Sequence, residues 1–158
     1  MRRSLCALVT SLACALACAA DVGVPAPACA PLAAARAAHG LDGKVIVVDF
    51  WASWCPPCRK LMPFLDDLYG SHRDDGLAVI AINVDEVQAD AERFLARRPV
   101  SYPVAFDAAG ECPRAFALAG MPSTYVLDRA GVVRLAHAGY RRDDEAALAA
   151  TVTRLLAE

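Results

Sequence analysis

Beyond its first twenty residues the chain has no run of about eighteen or more strongly apolar residues, which predicts that its body does not cross a membrane as a helix. It has no bias of charge: the formal net charge is −2 at pH 7, so neither nucleic acid nor an acidic membrane surface is an expected partner. It has no second pair of metal-binding residues at ligand spacing. Cys112 and the three histidines, His39, His72 and His137, are scattered, which argues against a tetrahedral zinc site and predicts no metal. Internal repeats are lacking too, and 158 residues are enough for one domain with a single sizeable core.

What is present begins with the N-terminus. Arg2 and Arg3 precede an apolar and small run from Leu5 to Ala17, and small residues follow up to Asp21. A charged start, a short apolar stretch and an Ala-x-Ala-like exit are the anatomy of a secretory signal over residues 1–20. The exit falls after Ala19 or Ala20. "ALAC" at 15–18 is an imperfect lipobox, which makes Cys18 a candidate lipid anchor. Either version predicts a mature chain working outside the cytosol, in the periplasm or cell envelope.

Cys6, Cys14 and Cys18 lie in that leader, so Cys29, Cys55, Cys58 and Cys112 are left for the mature protein. An oxidising compartment lets a cysteine pair persist as a disulfide and favours sulfur redox chemistry.

Residues 21–31, "DVGVPAPACAP", have no periodicity and read as a tether, followed by a short helix from Pro31 stopped at Gly40. "KVIVVDF" (44–50) and "LAVIAINV" (77–84) are continuous apolar runs suited to strands buried on both faces. Leu61, Phe64, Leu65 and Leu68 recur at helical spacing, with Pro63 expected to kink that helix. Val87, Ala91, Phe94 and Leu95 mark another helix that stops before Pro99. "SYPVAF" predicts a short strand, "ECPRAFALAG" a short helix, and "STYVLDRAGVVRLAHAG" a strand, turn and strand. The chain closes with a helix striped by Leu148, Val152 and Leu155 and capped by Asp143 or Asp144. Alternating strands and helices imply an α/β fold with a largely parallel sheet finishing in a hairpin and a helix.

Cys55 and Cys58 bracket Pro56 and Pro57. The attacking species in disulfide exchange is a thiolate, and a helix N-terminus lowers a thiol pKa because unpaired N–H groups favour negative charge there. Cys55 follows a buried strand and precedes a helix, so it is the expected exposed, attacking sulfur. Cys58, one turn inward, is expected to be buried and to resolve the mixed disulfide. The two prolines lack N–H groups and restrict which amides reach the sulfur. Residues at this place tune a redox poise that spans roughly 150 mV. Closing so short a loop removes little chain entropy, so a purely structural disulfide is disfavoured.

"VDFWASWCPPC" and "GMPSTYVLDRAG" together resemble the thioredoxin superfamily over residues 41–158. The stretch from Asn83 to Pro122 is nearly twice as long as in plain thioredoxin, and is similar to that of the exported TlpA/ResA-like branch, which has an extra helix and strand at about 87–107. The resemblance implies a central, mostly parallel sheet ending in a β-hairpin, with helices on both faces. It implies that Pro122 is a cis-proline holding the substrate strand, and that Met121, Trp54, Pro56 and Pro57 flank it. Trp51 and Phe50 are expected in the core. Asp49 matches the buried acid of thioredoxin that takes the proton from the second cysteine; an exposed strand-edge place is the bland alternative. The exported branch commonly has Asn there and a Glu three residues after the second cysteine, where this chain has Leu61. The lysine that neighbours the acid in thioredoxin is replaced by Ala81.

Cys29 and Cys112 remain, and pairing with each other or staying free are both open on sequence grounds. The expected function is an exported thiol:disulfide oxidoreductase acting as a reductant through a Cys55–Cys58 disulfide. By resemblance, a membrane thiol electron donor keeps it reduced, its clients are protein disulfides such as those of apocytochrome c or copper sites, and it needs no organic cofactor. The alternatives are a disulfide-donating oxidant or isomerase of the same fold, and a copper-binding chaperone using the thiol pair.

Overall fold

The computed structural model describes residues 20–158. The secretory signal, the lipobox and Cys6, Cys14 and Cys18 lie outside the described residues.

The chain runs α1 (Ala30–His39), β1 (Val45–Trp51), α2 (Pro56–His72), β2 (Leu77–Asn83), α3 (Gln88–Arg97), β3 (Val104–Phe106), α4 (Glu111–Ala115), β4 (Ser123–Leu127), β5 (Val133–Ala138) and α5 (Asp144–Leu156). The strands form one sheet in the order β3-β2-β1-β4-β5. β1 pairs parallel with β2 and β2 with β3, whereas β1–β4 and β4–β5 are antiparallel. This is the thioredoxin fold. The expected insertion supplies α3 and β3, and β3 takes an edge of the sheet beside β2.

Every residue of β1 and β2 is buried, because helices cover both faces and neither strand lies at an edge. Side chains alternate, so Val45, Val47 and Trp51 join one core cluster and Ile46, Val48 and Phe50 the other. α2 lays Cys58, Leu61, Met62, Leu65 and Leu68 on the first cluster and continues through Pro63. α3 adds Ala91 and Phe94, and α5 adds Leu148, Val152 and Leu155. On the opposite face Phe50, Phe116 and Tyr125 form an edge-to-face trio with centroids 5.0–6.0 Å apart.

Residues 21–31 are docked, where composition suggests a tether. Gly23 N–H donates to the Val133 carbonyl (2.8 Å), Val133 N–H to Val24 (2.9 Å) and Ala26 N–H to Gly131 (2.9 Å). The segment thus lies along the start of β5, where its prolines cost nothing because they occupy an edge position. Cys29 and Cys112 form a disulfide buried beneath α1 and α4. Around it Asp107 accepts the N–H groups of Glu111 (3.0 Å) and Cys112 (2.7 Å), and Glu111 accepts that of Ala30 (2.7 Å). One network therefore caps α1 and α4 together.

At α5 the expected aspartate cap takes another form. Asp143 precedes the helix with φ −68° and ψ −19° and makes no side-chain capping bond, since an already helical backbone aims its carboxylate away from the free amides. Asp144 instead accepts Arg141 N–H at 2.7 Å and lies 2.9 Å from His137 Nε2.

Candidate active site

β1 runs into a short turn, residues 52–55, that delivers Cys55 to the N-terminus of α2. A carboxylate absent from the sequence reading holds this turn. Asp85, just past β2 and 3% exposed, accepts Ser53 N–H at 3.0 Å, Ser53 Oγ at 3.1 Å and Asn83 Nδ2 at 2.8 Å. The apolar run of β2 ending in Asn-Val-Asp was the available signal: polar groups at a strand end beside a turn have backbone donors to satisfy.

Cys55 is the N-cap of α2, with Pro56 and Pro57 in its first turn. Neither proline has an N–H, so the first amide of the helix belongs to Cys58, and it donates to Cys55 Sγ at 3.3 Å. A donor aimed at sulfur from a helix N-terminus stabilises a thiolate there. Cys55 and Cys58 form a disulfide with Cα atoms 5.4 Å apart. The expectation of an exposed Cys55 does not hold in this form: it is 3% exposed and Cys58 fully buried, because Sγ of Cys55 turns back onto the helix start to reach its partner. Pro56 is exposed and Pro57 half-buried.

The Met121–Pro122 peptide is cis. Ser123, the next residue, pairs with Phe50, so Pro122 is buried at the same end of the sheet at which β1 leads into Cys55. Met121 is half-buried against the cluster that contains both cysteines. Trp54 stands 64% exposed, while Trp51 and Phe50 are fully buried in the core.

Asp49 is 1% exposed, so the strand-edge alternative is excluded. It occupies the face of β1 between Val47 and Trp51, both packed in the cluster of Cys58. Thr124 Oγ1 donates to Asp49 Oδ1 at 2.8 Å, and among the described residues Oδ2 has no partner. Burial pushes the carboxyl up to about 7, opposed by the Thr124 hydrogen bond. Ala81, its neighbour on β2, provides no cation. Burial, followed by the charges of Asp49 and Asp66, also raises the Tyr102 hydroxyl. Leu61 and Thr124 share the wall of a cavity of about 170 Å³ beneath α5.

Of the histidines, His137 faces Asp144 and His72 lies 3.2 Å from Asp75. Among the described residues no three or more His, Cys, Asp or Glu side chains group as metal ligands.

A central β1 ending in Cys-Pro-Pro-Cys, capped by a helix and faced by a cis-proline loop, defines a thioredoxin-fold dithiol protein. The chain belongs to the Redoxin family, whose pattern matches residues 21–152. It is 32% identical over 91 residues to the thiol-disulfide oxidoreductase ResA of Bacillus thuringiensis subsp. konkukian, covering 58% of this chain and 53% of that one. The chain thus spans about half the length of the curated relatives it matches. Among solved structures, it is similar to a Chlorobium tepidum protein assigned as thiol:disulfide interchange protein DsbE, with a TM-score of 0.79 and 37% identity over 86% of this chain and 98% of that one. A Bacteroides thetaiotaomicron protein assigned as a protein disulfide isomerase gives a TM-score of 0.68 and 30% identity, covering 77% of this chain and 79% of the other.

Proposed function

We propose that this chain is an exported thiol:disulfide oxidoreductase that reduces protein disulfides in the cell envelope. The observation that carries the reading is the Cys58 N–H directed at Cys55 Sγ at the start of α2, with a buried, neutral-range carboxyl on the strand beneath.

In the reduced protein, the Cys55 thiolate attacks a client disulfide. A new S–S bond joins Cys55 to the client, and the client's second sulfur leaves as a thiolate that takes a proton from water. Cys58 then gives its proton to the Asp49 carboxylate and attacks Cys55 Sγ. The mixed disulfide breaks and the Cys55–Cys58 disulfide closes. The released client sulfur leaves as a thiolate that takes a proton from water, so the client departs with two thiols. Two electrons pass to the client, and a membrane thiol donor restores the dithiol. Pro122, Met121, Trp54, Pro56 and Pro57 border the sulfur pair and receive the client segment. Residues 1–20 serve as the export signal, with Cys18 as the anchor if it is lipidated, and residues 41–158 carry the exchange domain. Clients of the apocytochrome c or copper-site type suit a reductant in this compartment.

Equilibration with glutathione buffers tests the direction of electron flow. A potential of about −200 mV or lower supports the reductant, and one near about −120 mV would make the chain a disulfide donor. A Cys58→Ala variant, unable to resolve, should accumulate mixed disulfides with its clients and so identify them.

A further inference from the structure

The surface around the Cys55–Cys58 pair is divided by charge. Pro56, Pro57, Lys60, Tyr140, Arg141 and Arg142 line an open cleft of about 630 Å³, which begins at the residue bonded to Cys55. Every charged residue in its wall is cationic, although the chain as a whole carries −2. Lys60, Arg141 and Arg142 are all exposed. Among the described residues Lys60 and Arg142 form no ion pair, and Arg141 reaches Asp144 only at 3.5 Å.

Two of the adjoining carboxylates are already hydrogen-bonded. Asp144 holds the Arg141 N–H and His137, and Glu145 accepts the Tyr140 hydroxyl. Asp143 is exposed and stands outside the cleft wall. A second groove of about 530 Å³ includes Val84, Gly120 and Met121, and its charged residues are acidic, Glu86 and Asp107. Of these two grooves, the one with a cationic wall lies on the α2 side of the sulfur pair, its cations supplied by α2 and by the turn between β5 and α5.

We infer that this cleft docks an acidic, cysteine-bearing segment of a protein client, its Asp or Glu side chains set against Lys60, Arg141 and Arg142 as its sulfur meets Cys55. The inference rests on the exchange function proposed above. Exposed ion pairs taken singly are weak. Lys60 and Arg142, which have no ion pair among the described residues, border one cleft with Arg141, held only at 3.5 Å by Asp144. The three act together: they raise the local concentration of an anionic segment and speed its encounter. They also disfavour a client with basic residues beside its cysteine, so the cleft sorts substrates that the sulfur chemistry alone treats alike.

Three peptides test this, identical except that the cysteines of one intramolecular disulfide are flanked by Asp, Asn or Lys. At low salt the reduced protein should reduce the Asp peptide about tenfold faster than the Lys peptide, with the Asn peptide between. In about 0.5 M salt the spread should shrink below about twofold. The double variant Lys60→Glu/Arg142→Glu should reverse the order of the Asp and Lys peptides. Equal rates at low salt, or an unchanged order in the variant, would overturn the docking. If none of the peptides is reduced, the exchange reading itself fails. Docking is then decided on the oxidised protein with fluorescein-labelled Ser analogues of the same peptides, by anisotropy. Binding of the Asp form about fivefold or more tighter than the Lys form at low salt supports the docking, and equal binding overturns it.

Discussion

Thr124 and Asp49 face each other on the antiparallel strands β4 and β1, and the Thr124 hydroxyl donates to Asp49 Oδ1 across 2.8 Å. This is the only hydrogen bond to the Asp49 carboxyl among the described residues, since Oδ2 has no partner. A fully buried carboxylate with one donor and no cation is poorly stabilised, so the group titrates near neutrality rather than near its ordinary value.

Resolution of the mixed disulfide should therefore depend on pH. Below about 7 Asp49 is protonated and cannot accept the Cys58 proton; above it the carboxylate is available. Single-turnover release of a client from the Cys55 mixed disulfide should rise through that pH. In Asp49→Asn the rise should vanish and the rate fall by about tenfold or more. Unchanged kinetics between about pH 6 and 9 would remove Asp49 from the mechanism.

The same carboxyl should leave a mark on stability. Its folded pKa of about 7 lies above the ordinary aspartate value of 3.8, so the folded protein holds the proton more tightly than the unfolded chain. Stability is then lost as pH rises from about 4 to about 7, and the loss is complete above that. Asp49→Asn carries no such cost, and its carbonyl can still accept from Thr124. In urea unfolding of the oxidised protein, the variant should gain on the wild type across that window, by on the order of 4 kcal/mol at its upper end. A pH-independent difference would show that Asp49 is not shifted.

Asp85→Ala should loosen the turn before Cys55. It strips acceptors from Ser53 N–H, Ser53 Oγ and Asn83 Nδ2, and a buried donor left unpaired costs about 1–3 kcal/mol. A loss of about 2–4 kcal/mol in urea unfolding is expected, together with slower attack by Cys55. A stability change within about 0.5 kcal/mol would mean that the turn holds without this carboxylate.

Replacing Cys29 and Cys112 together by Ala opens a covalent loop with a sequence separation of 83. In the chain-entropy model such a loop contributes about 4–5 kcal/mol. Urea unfolding with Cys55–Cys58 still oxidised should show a loss of that order. Glutathione titration of Cys55–Cys58 should give nearly the same potential as wild type, since the two pairs lie in the opposite core clusters.

The strands, helices and Cys-Pro-Pro-Cys helix start were legible because each rests on a local pattern. Apolar runs of strand length predicted β1 and β2, and the spacing of Leu61, Leu65 and Leu68 predicted the buried stripe of α2. The N-terminal segment was illegible because its order comes from β5 and from Cys112, 83 residues away, while its own composition has no period. Asp85 was missed for the same reason: its partners Ser53 and Asn83 mean little until the ends of β1 and β2 lie side by side.

The sequence by itself determined the chemistry's parts: two cysteines one helical turn apart, two prolines that remove the amides between them, and an acid upstream on an apolar strand. Their covalent spacing is short enough to be independent of the rest of the chain. Tertiary structure decided how those parts behave. Closing the sheet buried Asp49 against a single threonine and so brought its titration to neutrality. Packing the β5–α5 turn beside α2 gathered Lys60, Arg141 and Arg142 at one edge of the sulfur pair. The titration of Asp49 and the gathering of the three cations depend on what the folded chain brings together across the sheet, and no local pattern encodes either.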